Sequence, residues 1–222
     1  MTLTAKVVLM GKARSIRWGG KLAVGETIDS RGAGFHSHVQ DAIRRGTAWL
    51  KSDTRSRLQT FKKTPAKKPV NQRLGQLAVQ CFALLRSGVK PDALTPEFAW
   101  MAEQPLTMTY SVSLWIMALE ARSIRRESIK PRARTRSVAR YERGDLDKAD
   151  TARIAVAVKW LVDNHKGGWW NYEGIKATPT RAGDRSNSQF AILALHSALA
   201  CGVEVPRKLW EDALAELLKA QE

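Results

Sequence analysis

The stretch GQLAVQCFALLRSGVKP at residues 75–91 indicates the fold class of this chain. It is apolar on nearly every side over its first fifteen residues, which is typical of a helix buried within a larger helical structure. Gly88 suits the left-handed position that ends a helix, and Pro91 cannot continue one. The sequence CGVEVP at 201–206 repeats this ending after a second apolar segment. The pattern predicts buried helices that stop at a Gly-Val turn.

Two kinds of helical segment alternate along the chain. The almost wholly apolar kind comprises residues 75–89, 109–122 and 186–203, and the kind with an apolar stripe comprises residues 38–52, 95–105, 150–168 and 206–221. Two of the striped segments should begin at Thr95, followed by Pro96, and at Asp150, because Thr and Asp cap helix N termini. We expect the polar, basic residues 52–70 to form a loop or linker.

Pairs of large apolar residues mark the striped segments at a nearly constant interval. They are Trp49-Leu50, Trp100-Met101, Trp160-Leu161 and Leu217-Leu218, spaced 51, 60 and 57 residues apart. Such a period, with two helices per repeat, is typical of stacked or ring-closed helical hairpins. Because helices that are apolar all round need a covering layer, the sequence predicts an all-α protein, a partial α/α toroid with inner and outer helices.

The domain organisation follows from where the alternating helical segments begin and where they are interrupted. Residues 1–37 show little periodicity and are expected to form an irregular N-terminal segment. Residues 38–222 then form one helical repeat domain with essentially no sheet. A basic insert at 123–148 interrupts that domain in place of a short turn, and we expect it to be an exposed, mobile loop.

Charge and composition limit the possible partners and compartments. The chain has 37 Lys and Arg against 21 Asp and Glu, a formal net charge of +16, which attracts acidic or phosphate-bearing partners. No apolar run approaches the roughly 18 residues that a membrane-spanning helix needs. Cys81 and Cys201 lie in apolar stretches and indicate reduced thiols. The composition favours a cytoplasmic protein, with contact to an anionic membrane surface left open.

Nucleic acid is an alternative partner because of two basic stretches, residues 55–73 and 122–143. The second holds nine Lys or Arg against two acidic residues. Both have little aromatic interleaving, whereas surfaces for single-stranded nucleic acid stack bases on aromatic rings. The sequence also has no helix-turn-helix, zinc-finger or RNA-recognition signature. Nucleic acid binding is therefore the less favoured alternative.

The segment WLVDNHKGGWWNY at 160–172 resembles a known repeat motif. Squalene–hopene cyclase-like proteins, of the terpene cyclase and prenyltransferase superfamily, carry Trp-Leu, then Gln, then Gly-x-Trp; here Asn164 or His165 stands where the Gln is expected. Residues 109–121 and 184–198 look like the inner helices of that family, and LLKAQ at 217–221 looks like the start of a further repeat. The resemblance spans about residues 70–222 and implies an α/α toroid.

Two departures from the family affect what the resemblance implies. A closed toroid has more hairpins than this sequence provides, so the chain is expected to be a partial ring, a fragment or half of an assembly. The related cyclases protonate their substrate with an Asp-x-Asp-Asp motif, but here Asp145-Leu146-Asp147 is followed by Lys148. No catalytic residue, cofactor or metal site is therefore predicted.

The resemblance implies a non-catalytic module that binds an apolar, isoprenoid-like ligand or a protein partner, with self-association as a further possibility. The alternatives are half of an isoprenoid-processing enzyme and a basic nucleic-acid-binding repeat protein. The candidate ligand-binding residues are Tyr110, Trp115, Trp169, Trp170, Tyr172, Asp184 and Asn187.

Structural roles are the competing interpretation of these candidates. Gly167 and Gly168 would make a turn around which the tryptophans pack. Asp184 or Asn187 would cap a helix. Arg181 and Arg185 flank Asp184 in the sequence and favour a deprotonated carboxylate, which is a poor proton donor.

Overall fold

The computed structural model describes residues 3–9, 12–18, 33–64, 72–125, 142–143, 146–173 and 183–219. Side chains are described within 37–64, 72–123, 146–173 and 183–219. The chain divides into two compact units, Met1–Arg45 and Gly46–Glu222.

The first unit contains an antiparallel strand pair, β1 at Leu3–Leu9 and β2 at Lys12–Trp18. Their register runs without a bulge from the pair Leu3 and Trp18 to the pair Leu9 and Lys12. The expectation of an irregular segment over residues 1–37 is therefore wrong for these strands. The alternation of Leu, Ala, Val and Leu at positions 3, 5, 7 and 9 is the period-two signal that the sequence interpretation missed.

Helix α1 spans Ala33–Lys63, so it begins earlier and ends later than expected. The prediction of a loop or linker over residues 52–70 is wrong as far as residue 63. Within this polar stretch, about one residue per helical turn faces the core. Thr54 and Leu58 are buried, and the ring of Phe61 stacks on Trp100 with ring centroids 5.5 Å apart. Those contacts hold a helix whose sequence is otherwise hydrophilic.

The remaining helices follow the expected order closely. They are α2 at Gln72–Arg86, a 3₁₀ turn at Pro91–Leu94, α3 at Thr95–Ala102, α4 at Thr109–Ser123, α5 at Lys148–Asp163, α6 at Arg185–Ala200 and α7 at Arg207–Lys219. The prediction of a mainly helical chain is confirmed, whereas the expectation of essentially no sheet is wrong at β1 and β2. No described helix has the length and apolar character needed to cross a membrane.

The basic insert is described only at its ends. Strand β3 at Ile124–Arg125 pairs antiparallel with β4 at Glu142–Arg143, directly after α4 and shortly before α5. This pairing is a second exception to the expectation of no sheet. Residues 126–141 and 144–145 lie outside the described part of the chain, so the exposure and mobility of the insert stay predictions.

Helix α4 lies in the middle of a layer formed with α2 and α6, and ten of its fifteen residues are buried. At the helix starts, a Cβ atom added to Gly75 of α2 would lie 2.8 Å from Ser111 Oγ of α4. Near the helix ends, Arg86 of α2 donates to Glu120 Oε2 of α4 at 3.2 Å, and Ser197 of α6 donates to the same oxygen at 3.1 Å. Because starts meet starts and ends meet ends, the three helices run in the same direction.

Helices α2 and α6 end in the same way, as their Gly-Val sequences predict. Gly88 has a φ of 96° and Gly202 a φ of 77°, both in the left-handed region that glycine tolerates. The valine that follows each glycine donates its backbone N–H to the carbonyl five residues earlier, at 3.0 Å in both cases. This bond closes each helix and turns the chain toward the next element.

Two predicted N-caps are displaced. Thr95 lies inside α3, with Leu94 in the cap position, because the 3₁₀ turn runs directly into that helix. Asp147 rather than Asp150 caps α5, accepting a bond from Ala149 N at 3.0 Å. Asp150 is instead buried one turn further along the helix.

Helices α3 and α5 repeat one capping contact at their C-terminal ends. The side-chain nitrogen of Gln104 donates to Trp100 O at 3.0 Å, and that of Asn164 donates to Trp160 O at 2.9 Å. Both bonds reach back four residues, and the two tryptophans belong to the repeating pairs seen in the sequence. Asn164, and not His165, is therefore the residue that corresponds to Gln104 within this chain.

Candidate functional site

The two glycines of the predicted motif form a tight turn after α5. Gly167 has a φ of 55° and Gly168 a φ of 86°, and the backbones of Lys166 and Trp169 exchange hydrogen bonds of 2.9 and 3.1 Å across them. A two-residue turn with positive φ at both central positions strongly prefers glycine. We call residues 164–173 the aromatic turn, because the sequence places Trp169, Trp170 and Tyr172 in it.

Trp170 lies at the centre of the aromatic turn with 0% of its surface exposed. Its indole N–H donates to Leu161 O at 2.9 Å, near the end of α5. Its backbone N–H donates to Ser188 Oγ at 3.0 Å, and its carbonyl accepts from Asp184 N at 2.7 Å, both at the start of α6. The residue therefore joins two helices, and its ring is fully occupied by packing.

Trp169 faces α7 instead. Its indole nitrogen donates to Glu216 Oε2 at 2.6 Å. Lys219 first and Trp169 second lower the pKa of the Glu216 carboxyl through their hydrogen bonds to it. The side chain of Trp169 also packs over Gly183, where an added Cβ would collide with the Trp169 Cβ. Trp169 thus connects the aromatic turn to α7 and to the segment that enters α6.

Asp184 is the N-cap of α6, as one of the two sequence interpretations expected. Its Oδ1 accepts from Asn187 N at 2.9 Å and from Asn187 Nδ2 at 3.0 Å, and Ser186 Oγ also donates to it. The Ser186 hydroxyl first, and then the backbone N–H of Asn187, hold the pKa of Asp184 below its ordinary value. A carboxylate stabilised in this way is a poor proton donor.

The other candidates separate into two places. The carbonyl of Tyr172 accepts from the backbone N–H of Thr109 at 3.0 Å, and Tyr110 packs edge-on against Phe190 with ring centroids 4.7 Å apart. Both tyrosines keep exposed surface. Trp115 is buried farther along α4 and packs against Phe98, with centroids 5.6 Å apart.

Six of the seven candidates therefore gather around the starts of α4 and α6, and Trp115 does not join them. Trp170 and Asn187 are buried, so the surface open to an apolar molecule at this end of the layer belongs to Tyr110, Tyr172 and part of Trp169. A ligand-binding role for these residues stays a prediction.

The sequence interpretation missed a buried charge cluster around Asp150. Its two carboxylate oxygens accept from Arg122 at 3.0 Å and from Arg153 at 2.7 Å, while its side chain is 5% exposed. The Arg122 guanidinium also lies 4.9 Å from the ring centre of Phe98. This cluster ties the end of α4 to α5 and α3 beside the basic insert. Its only sequence signal was an acid placed at the start of a striped segment.

A second buried acid lies in the first turn of α3. Glu97 is 2% exposed, and within the described part of the chain its Oε2 has no hydrogen-bond partner. Burial first, and the neighbouring Glu97 carboxyl second, raise the pKa of the Cys81 thiol on α2. A thiol held protonated in this way is a weak nucleophile. The pair offers no activated group for catalysis.

The described residues contain no group of three or more His, Cys, Asp or Glu side chains that could hold a metal ion. Comparison with known proteins found no match to a family model, to a curated protein or to a solved structure. The resemblance to the terpene cyclase and prenyltransferase repeats therefore stays a prediction.

Proposed function

We propose that this chain is a non-catalytic helical-repeat module, a partial α/α array of the type that the resemblance implies. It binds the apolar surface of a partner at the end of the array formed by α6 and α7. The parallel layer of α2, α4 and α6, whose members alternate with α3 and α5 along the chain, supports this proposal. So do the repeated bonds of Gln104 and Asn164, which are what successive copies of one repeat would make.

The observation that carries the proposal is a difference between equivalent positions. In the repeating apolar pairs, the second residue is Met101 in α3, Leu161 in α5 and Leu218 in α7. Met101 and Leu161 are 1% and 0% exposed, whereas Leu218 is 55% exposed. In an array, each repeat covers the one before it. Leu218 thus occupies a position that the earlier repeats bury.

By contrast, the apolar residues at the α2 end of the second unit are covered. The C-terminal half of α1 packs there through Leu58 and Phe61, and Asp53 accepts a bond of 2.6 Å from Gln80 of α2. Repeat arrays need a polar capping element at each end to stay dispersed in water. The α1 segment fills that role at one end, and the partner would cover the exposed leucines of α7.

The uncharged dye Nile red tests this proposal, because its fluorescence reports exposed apolar surface without attraction to the net positive charge. The dilute protein should bind the dye, and the variant L214E/L218E should bind it several times more weakly. Val156→Glu is the matched control, since Val156 is 62% exposed and belongs to a different helix, α5. Equal binding by all three proteins would reject the α7 end as the binding surface.

The enzyme alternative has a separate test. The protein is incubated with squalene, and separately with farnesyl diphosphate, Mg²⁺ and Zn²⁺, and products are sought by mass spectrometry. We expect none, because the Asp184 carboxylate is hydrogen-bonded in its charged form. If the protein forms a product and Asp184→Asn does not, the binding-module hypothesis is rejected and the chain is an isoprenoid-processing enzyme.

A further inference from the structure

Three exposed leucines form an apolar stripe on α7. Leu214, Leu217 and Leu218 are 58%, 45% and 55% exposed, and their spacing of three and four residues places them on one face of the helix. The neighbouring face holds Leu209 and Ala213, which are buried against the rest of the unit. A helix with both faces apolar is typical of an element that packs on two sides.

The charges of α7 cancel one another, unlike those of the chain as a whole. The helix has three basic and three acidic residues, and all six are paired along its surface. The pairs are Arg207 with Glu211 at 2.8 Å, Lys208 with Asp212 at 2.9 Å, and Lys219 with Glu216 at 2.8 Å. This face is therefore electrically balanced within a chain of net charge +16.

From these observations we propose that the partner is a second copy of this chain, docked through the α7 stripe onto the α7 stripe of the first. The inference rests on the proposed function and names its partner. In a two-fold dimer, the same surface patch of both copies forms the interface, so that patch must be complementary to itself. An apolar stripe bordered by paired charges that cancel meets that requirement. In an antiparallel pair of α7 helices, the two helix dipoles would also point in opposite directions, which is favourable.

The balanced charge of α7 makes it the part of the chain where a second copy meets the least repulsion. Two copies with a net charge of +16 repel each other, and the repulsion is weakest where each presents a neutral face. An acidic protein or a nucleic acid would be drawn to the basic regions, since α7 has no excess of positive charge to attract it. In the dimer, the second copy would bury Leu218. The equivalent residues Met101 and Leu161 are already buried within the chain.

Sedimentation velocity over a wide range of concentrations tests the inference on the full chain. The wild type should shift from monomer to dimer as concentration rises, and added NaCl should preserve or strengthen the dimer because salt screens repulsion between the copies. L214E/L218E should weaken self-association at least roughly hundredfold, as expected when central apolar contacts are replaced by charges. Val156→Glu should dimerise like the wild type.

A cross-linking experiment keeps the inference testable if the glutamates disturb folding. Leu217→Cys should form disulfide-linked dimers on mild oxidation, and Val156→Cys should not. A wild type that stays monomeric at every concentration, or equal cross-linking by both variants, would overturn the inference. If dilute wild type still binds Nile red through α7, the proposed binding surface stands and only the second copy fails as its partner. If dye binding is absent as well, the proposed function fails too.

Discussion

Gly168 and Ala213 are in backbone contact where the aromatic turn meets α7. A Cβ atom on Gly168 would lie 2.5 Å from the backbone nitrogen of Ala213, closer than real side chains come. Gly168 also has a φ of 86°, in the region that L-residues with side chains rarely adopt. Position 168 therefore needs glycine both for its own backbone and for the approach of α7.

Gly168→Ala should lower the free energy of unfolding by about 3 kcal/mol, since it adds a steric clash to an unfavourable φ. Gly167→Ala is the matched control. Its φ is 55°, and an added Cβ would meet nothing within 4 Å, so it should cost about 1 kcal/mol. Urea unfolding followed by tryptophan fluorescence measures both. Equal losses would show that α7 does not rest on Gly168.

Arg122→Met should lower the free energy of unfolding by about 2 kcal/mol, because it leaves the buried Asp150 carboxylate with Arg153 alone. Lys208→Met breaks a comparable ion pair with Asp212 that is exposed, and it should change stability little. Thermal unfolding by circular dichroism compares the two. A similar small effect for both variants would mean that the Asp150 cluster contributes no more than a surface pair.

Asp184 should make the stability of the second unit depend on pH in the acid range. Its pKa is lowered in the folded chain, so its stabilising effect is complete above the ordinary aspartate pKa of 3.8 and is lost as pH falls through the lower folded value. Asp184→Asn removes that dependence. The difference in unfolding free energy between wild type and Asp184→Asn should therefore be largest at neutral pH and shrink on acidification. A constant difference would contradict the charged cap.

Cys81 should be unreactive in the native protein. Burial raises the pKa of its thiol, and alkylating reagents attack the thiolate. Cys201, which is only partly buried, should be alkylated by iodoacetamide much faster. Peptide mass spectrometry after timed labelling measures both, and labelling in urea should remove the difference. Equal native rates would show that the contact between α2 and α3 opens readily.

Local signals in the sequence anticipated most of the helices of this structure. The Gly-Val endings, the apolar segments and the spaced Trp and Leu pairs were sufficient to predict α2 through α7 within a few residues. They succeeded because positive-φ glycines and helical periodicity are properties of short segments. The same reasoning missed β1 and β2, whose period-two pattern is weak, and the second half of α1, whose inward stripe is one residue wide.

The sequence by itself determined α2 through α7 and the glycine turns, since each depends on residues close together in the chain, and it gives the net charge of +16 directly. Only the tertiary structure decided what the candidate residues contact. Leu161 is 0% exposed while Leu218 is 55% exposed, although each is the second residue of one of the spaced apolar pairs. Burial depends on which distant segment packs over a residue. The local pattern could therefore identify the aromatic and leucine positions. It could not tell which of them are buried in the core and which are exposed on α7.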